Sequence, residues 1–227
     1  MIRAITVDAL GTLVRMEPPG PRLREELRRT AGVEVSEEQA TAGFAAEISY
    51  YLEHHLEGGD PAALDELRDR CARVMRDALG IERVELALVR EAMLASLHFE
   101  AFPDAEPALR ELRANGLRLV AASNWDSSLP EVLERTRLAP LLDGVVSSAA
   151  AGATKPAPEV FRAALEVAGA EPGEALHVGD SADKDVAGAL ALGMRAVLID
   201  RAAGAAAGAG APVIRSLTEL TALVLAG

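Results

Sequence analysis

The chain is poor in the features that would staple it covalently or direct it to a nucleic acid or a lipid. It has one cysteine, Cys71, which excludes an intrachain disulfide and any multi-cysteine metal site. The helical, apolar neighbourhood of Cys71 predicts a buried thiol. Basic residues are outnumbered 23 to 35, for a net charge of −12, and no basic cluster stands out. That argues against a nucleic-acid partner, because such a protein needs a basic face to displace counterions. No segment approaches the roughly 20 apolar residues of a membrane helix, so no membrane partner is expected. The opening stretch Met1–Val7 alternates toward a strand and not toward a signal peptide, which predicts a cytoplasmic protein. Lysine is also scarce. Arginine is used almost everywhere, and Lys155 and Lys184 stand as exceptions. Lys155, directly before Pro156, therefore asks for a reason.

What is present is a chain of 227 residues, half of them hydrophobic, long enough for a core domain with a large insert. Short apolar runs end in polar or small residues: Ile2–Val7 before Asp8, Leu117–Ala122 before Ser123, Gly144–Val146 before Ser147, Ala175–Val178 before Gly179-Asp180, and Ala196–Ile199 before Asp200. From Leu117 onward, helical patterns separate the runs, including Val160, Phe161, Ala164, Leu165 and Ala168 up to Gly169. Strands alternating with helices predict an α/β fold with a Rossmann-like parallel sheet. Residues 16–100 read differently. Their patterns are helical with no convincing strand, which predicts an α-helical cap inserted after the first strand. The expected division is a core of residues 1–15 and 101–227 and a cap of 16–100. Asp104 is expected to cap a helix holding Leu109 and Leu112. The Ala/Gly-rich segment 202–211 reads as a flexible loop.

Open parallel sheets bind ligands beyond the carboxyl ends of their strands. The polar residues at those ends are Asp8, Ser123, Asn124 and Asp180, with Lys155 in a loop nearby. Two carboxylates, a hydroxyl, an amide and a cation suit a magnesium ion facing a phosphate. Carboxylate oxygens hold the hard cation, and the lysine and hydroxyl hold the remaining anionic oxygens. Each residue also has a bland reading. An aspartate at a strand end is more often a turn or cap residue, and Ser123-Asn124 suits a helix cap. Trp125 fits cleft lining and packing equally. His54 and His55 read as helix surface, and His177 as a core or sheet-face residue; no histidine is assigned catalysis.

Four segments in order resemble the haloacid dehalogenase superfamily: Asp8-Ala9-Leu10-Gly11-Thr12-Leu13, Ser123-Asn124-Trp125-Asp126, Lys155-Pro156 with Pro158-Glu159-Val160-Phe161, and Gly179-Asp180-Ser181 through Asp185. A single motif of this kind is weak, and four at the expected structural places are not. The resemblance implies that Asp8 is a nucleophile forming an aspartyl intermediate. It implies Mg2+ held by Asp8, the Leu10 backbone carbonyl and Asp180. Thr12 and Ser123 would bind the transferring group with Asn124 beside them, Lys155 would offset charge, and Asp185 would act through water or by orienting Lys155. Family phosphatases usually carry a second aspartate where this chain has Leu10, and that residue protonates the leaving alcohol. The expectation is a magnesium-dependent hydrolase of a small phosphorylated substrate with weakened acid–base catalysis. The alternatives are a metal-independent 2-haloacid dehalogenase, whose family members also lack that aspartate, and a weakly catalytic binder of phosphate ligands. No feature of the sequence points to an oligomeric state.

Overall fold

The computed structural model describes residues 1–202 and 210–225. The loop expected at 202–211 thus falls largely outside the described residues. The chain divides into two compact units, one of residues 1–15 and 100–227, the other of residues 16–99.

The first unit is built on a six-stranded parallel sheet whose strands lie side by side in the order 144–147, 118–123, 4–7, 175–179, 195–199 and 213–214. Its strands are β1 (Ala4–Val7), β4 (Arg118–Ser123), β5 (Gly144–Ser147), β6 (Ala175–Gly179), β7 (Arg195–Ile199) and β8 (Val213–Ile214). The α/β fold read from the sequence is the one observed. Strands β1 and β6 are buried along their whole length, as expected for parallel strands covered on both faces. On one face, the helix Pro158–Ala168 lays Val160, Phe161, Ala164 and Leu165 against Val120, Ala122 and Ala4. Strand β1 sits between β4 and β6, with Val7 facing Ala121 on one side and Val178 on the other. Neighbouring strands lie about 4.8 Å apart. The residues that follow these three strands therefore emerge side by side, although they are far apart in sequence.

Three strands escape a periodicity reading. β8 has two residues, and β2 (Val14–Met16) and β3 (Phe99–Ala101), which pair with each other, have three each. None is long enough to show alternation. A second difference concerns α5 (Ala105–Ala114). Asp104 stands at its start, but its side chain makes no cap bond. The carboxylate is taken instead by Arg201, Ser216 and the Leu217 amide.

The second unit contains α1 (Pro19–Ala31), α2 (Glu37–His54), α3 (Pro61–Leu79) and α4 (Leu86–Ser96). Ser36 and Gln39 form a reciprocal cap at the start of α2, and the Asp60 carboxylate accepts two amides at the start of α3. The apolar faces meet in a core of Leu23, Leu27, Phe44, Leu67, Met75, Val89 and Met93. Cys71 is buried there, as its neighbourhood predicts. His55 departs from the expected helix surface. It is buried, and its Nδ1 donates to the Leu52 carbonyl at 3.1 Å. Among the described residues no helix is long and apolar enough to cross a membrane.

Candidate active site

The site is built at the carboxyl ends of β1, β4 and β6. Asp8 continues β1, and its amide donates to the Val178 carbonyl at 2.9 Å. Ser123 ends β4 and donates its hydroxyl to Asp8 Oδ1 at 2.9 Å. Lys155 reaches the same oxygen with Nζ at 2.6 Å. The ammonium also donates to the Ala122 carbonyl at 2.9 Å and to Asp185 Oδ1 at 2.5 Å. All three of its protons are thus directed, and Lys155 is 3% exposed. Asn124 steers the lysine from behind. Its Oδ1 accepts the Lys155 amide at 2.7 Å, and its Nδ2 donates to the Lys155 carbonyl at 3.2 Å. The Lys155–Pro156 peptide is cis.

Asp180 follows β6, and Asp185 lies in a π-helical turn, Ala182–Val186. Asp8, Asp180 and Asp185 each bring a carboxylate oxygen within 4.8 Å of the others. Two glycines make this crowding possible. A Cβ on Gly11, whose φ is +85°, would lie 2.0 Å from Asp180 Oδ2. A Cβ on Gly179 would lie 2.2 Å from Asp185 Cγ. Any side chain at either position would push a carboxylate out of the cluster.

The electrostatics follow from burial and crowding. Burial pushes Asp8 up, the Lys155 charge pulls it back, and the Asp185 charge pushes it up again; the net direction is upward. Burial, then the charges of Asp8 and Asp185, lift Asp180 to about 6. Burial acts upward on Asp185 too, but the Lys155 charge and the His177 hydrogen bond outweigh it and hold that carboxyl well below the usual range. Burial lowers Lys155, and the two carboxylates overcome it and raise its affinity for its proton. Three carboxylates thus share one ammonium. This is an excess of negative charge that costs free energy unless a cation or a proton relieves it.

Oxygen-only donors around such an excess fit a hard divalent cation. The loop after β1 adds a further observation. The carbonyl of Ala9 accepts the amides of Thr12, Leu13 and Val14, that of Leu13 accepts the Phe102 amide, and those of Gly11 and Thr12 accept bonds from Arg201. Among the described residues, the Leu10 carbonyl alone in the span Ala9–Leu13 accepts no hydrogen bond. The Leu10 side chain is 45% exposed. Thr12 is fully buried, and its Oγ1 has no hydrogen-bond partner among the described residues.

Two further positions can be placed: Trp125 takes the packing alternative of its two readings, and His177 adds a polar role to its core position. Trp125 is buried, and its Nε1 donates to Ser128 Oγ at 3.3 Å, so it packs. His177 is buried in β6 as expected, but it is also part of the polar network. Its Nε2 lies 3.0 Å from Asp185 Oδ1 and its Nδ1 2.8 Å from Thr6 Oγ1. The strand register pairs Thr6 with His177 directly. A buried chain therefore runs Thr6–His177–Asp185–Lys155–Asp8.

A family model described as haloacid dehalogenase-like hydrolase matches residues 2–193. The chain belongs to this family. It is a hydrolase by that membership. It is 31% identical to haloacid dehalogenase-like hydrolase domain-containing protein 3 of Bos taurus, over 87% of this chain and 82% of that one. It is 31% identical to a glyceraldehyde 3-phosphate phosphatase of Methanopyrus kandleri, over 88% and 85% of the two chains. Among solved structures, a 2-haloacid dehalogenase of Pseudomonas syringae superposes with a TM-score of 0.74 at 25% identity, covering 100% of this chain and 99% of that one.

Proposed function

We propose that this hydrolase is a magnesium-dependent phosphatase acting on a small phosphorylated substrate, with Asp8 as the nucleophile. The observation that carries the reading is the charge imbalance: Asp8, Asp180 and Asp185 within 4.8 Å of one another, against the single ammonium of Lys155. The phosphatase relative in Methanopyrus kandleri supports it.

In this reading Asp8, the Leu10 carbonyl and Asp180 would hold magnesium, which when bound neutralises phosphoryl oxygens and so stabilises charge during transfer. An Asp8 carboxylate oxygen attacks phosphorus, and the bond to the ester oxygen of the substrate breaks, its electron pair leaving on that oxygen, which takes a proton from solvent water. Water then attacks the phosphorus of the aspartyl phosphate, which releases inorganic phosphate and restores the carboxylate. Ser123 and Lys155 fix the orientation of Asp8 through its Oδ1, and Lys155 offsets anionic charge. Asp185 acts by holding Lys155, and Asn124 by holding its backbone. Thr12, whose buried hydroxyl has no hydrogen-bond partner among the described residues, is assigned with Ser123 to the transferring group. The helical unit is assigned to substrate selection as the cap, with residues 1–15 and 101–227 as the catalytic core.

Leu10 leaves the departing oxygen without a side-chain acid. Good leaving groups such as acyl and aryl phosphates are therefore the better substrates. The experiment is a screen of phosphate esters of graded leaving-group pKa and of 2-haloacids, each with magnesium and with chelator, using Asp8→Asn as the control. Magnesium-dependent phosphate release that falls as the leaving-group pKa rises supports the proposal. A rate independent of leaving group removes the role given to Leu10, and halide release in chelator removes the phosphatase reading.

A second reading, 2-haloacid dehalogenation without metal, is favoured by one observation. Leu10 supplies no acid, and halide needs no proton to leave. Asp180 weighs against it, because that reaction has no phosphate to neutralise. A weak binder of phosphate ligands is the outcome if wild type and Asp8→Asn behave alike across the screen.

A further inference from the structure

Arg201 lies beyond β7 and outside all four motifs, yet its guanidinium reaches the loop that follows Asp8. Nε donates to the Gly11 carbonyl at 3.2 Å and Nη2 to the Thr12 carbonyl at 2.7 Å. The opposite edge makes a two-pronged pair with Asp104, 3.0 Å at each oxygen. The guanidinium carbon stands 3.7 Å from the centre of the Phe102 ring, close enough for a cation–π contact. Asp104 is itself held by Ser216 Oγ and the Leu217 amide, both at 2.8 Å. One planar cation thus ties the Gly11–Thr12 loop to the Phe102–Asp104 segment, and through Asp104 to Ser216 and Leu217, with side-chain exposures of 19% for Arg201 and 15% for Asp104.

The two carbonyls it holds directly follow a sensitive point. Gly11 lies between Leu10, whose carbonyl accepts no hydrogen bond among the described residues, and Thr12. Gly11 is also packed so closely on Asp180 that no Cβ fits between them. A rotation of the Gly11–Thr12 peptides would move the Leu10 carbonyl and press on Asp180 together. We propose that Arg201 is a positioning residue for the cation site, which locks the Asp8–Thr12 loop so that the Leu10 carbonyl and Asp180 keep their places. The proposal rests on the reading of that site as a magnesium site. Arginine is suited to the task because its rigid fork serves two carbonyls and a carboxylate at once. Lysine carries the charge without that geometry.

The test measures magnesium binding to the substrate-free protein by calorimetry, and activity against magnesium concentration, for wild type, Arg201→Lys and Asp104→Asn. Partners that orient metal ligands typically change affinity by about ten- to a hundredfold. Arg201→Lys is expected to weaken magnesium binding about tenfold. At saturating magnesium, its kcat should stay within about threefold and its KM unchanged. Asp104→Asn leaves Arg201 on its carbonyls and should weaken binding less, about threefold; it carries the test if Arg201→Lys does not fold. Magnesium affinities equal to wild type in the folded variants overturn the role of Arg201 alone, as does a kcat loss that magnesium does not restore. Wild type that takes up no magnesium overturns the site reading and this proposal with it.

Discussion

In the sheet unit Asp8, Ser123, Lys155, His177 and Asp185 are all buried, and each is bonded to another of the five. In the helical unit the buried side chains are overwhelmingly apolar, and the buried ionisable groups among the described residues are Glu47, His55 and the Cys71 thiol. Glu47 has the Cys71 thiol as its hydrogen-bond partner, and burial lifts it to about 7. A buried charge persists when it is paired within a network, and a lone buried carboxyl instead keeps its proton. The contrast separates burial that prepares chemistry from burial that makes stability depend on pH. The sheet unit has an ammonium that keeps Asp185 ionised, and the helical unit offers Glu47 no cation.

The largest test of this contrast is Asp8→Asn. It preserves the size of the side chain and removes the attacking oxygen, so activity should fall by about 10⁴-fold or more, while unfolding in urea changes little. Activity that survives within tenfold would mean that the network does not prepare Asp8 at all. Leu10→Asp comes next, because it adds a carboxylic acid at an exposed position beside the nucleophile. General acid–base help is worth roughly 10²- to 10⁴-fold, and the gain should appear with alkyl phosphates and fade with aryl phosphates. No gain on alkyl phosphates would show that another group already protonates the leaving oxygen.

Lys155→Met probes the network as structure. It leaves Asp8, Asp180 and Asp185 together with no ammonium. Stability at pH 7 in chelator should drop by about 3–5 kcal/mol, the usual cost of stranding buried charge. Asp185, now held low by Lys155 and His177, gains stability from its ionised form above the ordinary carboxylate range, and that contribution is lost as pH falls. The deficit of the variant should therefore hold from pH 7 down to the ordinary carboxylate value of 3.8 and shrink below it, as read from urea unfolding followed by Trp125 fluorescence. A deficit that is constant with pH would assign the loss to packing and not to charge.

These cases also show what was legible beforehand. Asp8, Ser123 and Asp180 were readable because a parallel sheet fixes where strand ends go, and each follows an apolar run. Lys155 was readable because lysine is scarce and the motif order placed it. From sequence alone His177 reads as core, since its polar role depends on the register that sets it opposite Thr6. Arg201 and Asp104 carried no signal, because their meeting depends on how segments 97 residues apart fold together. Local helix-capping rules predict a cap at Asp104, and the Arg201 guanidinium overrides them. Glu47 did leave a trace. Ala40, Gly43, Phe44 and Glu47 are buried in α2 at positions three and four apart, so the carboxylate occupies a core-facing slot that an apolar residue would normally fill.

Glu47 gives the smallest effect and the sharpest separation of the two units. In the unfolded chain its carboxyl loses its proton near the ordinary 4.5, and in the folded unit near about 7. As pH rises, the unfolded state releases this proton first. The helical unit should therefore be most stable below the lower value, lose stability as pH climbs through the interval, and level off above the upper one. The gap corresponds to at most about 3 kcal/mol. Glu47→Gln keeps an amide able to bond Cys71 and removes the titration, so the variant should exceed wild type at pH 8 and lose most of that advantage at pH 5. The chain supplies its own reporters. Both tyrosines, Tyr50 and Tyr51, lie in α2, and the one tryptophan, Trp125, lies in the sheet unit. Tyrosine difference absorbance during urea unfolding should carry the pH dependence, and Trp125 fluorescence should not. The same pH profile in Glu47→Gln and wild type would remove Glu47 as its source, and identical profiles from both reporters would show the units unfolding as one.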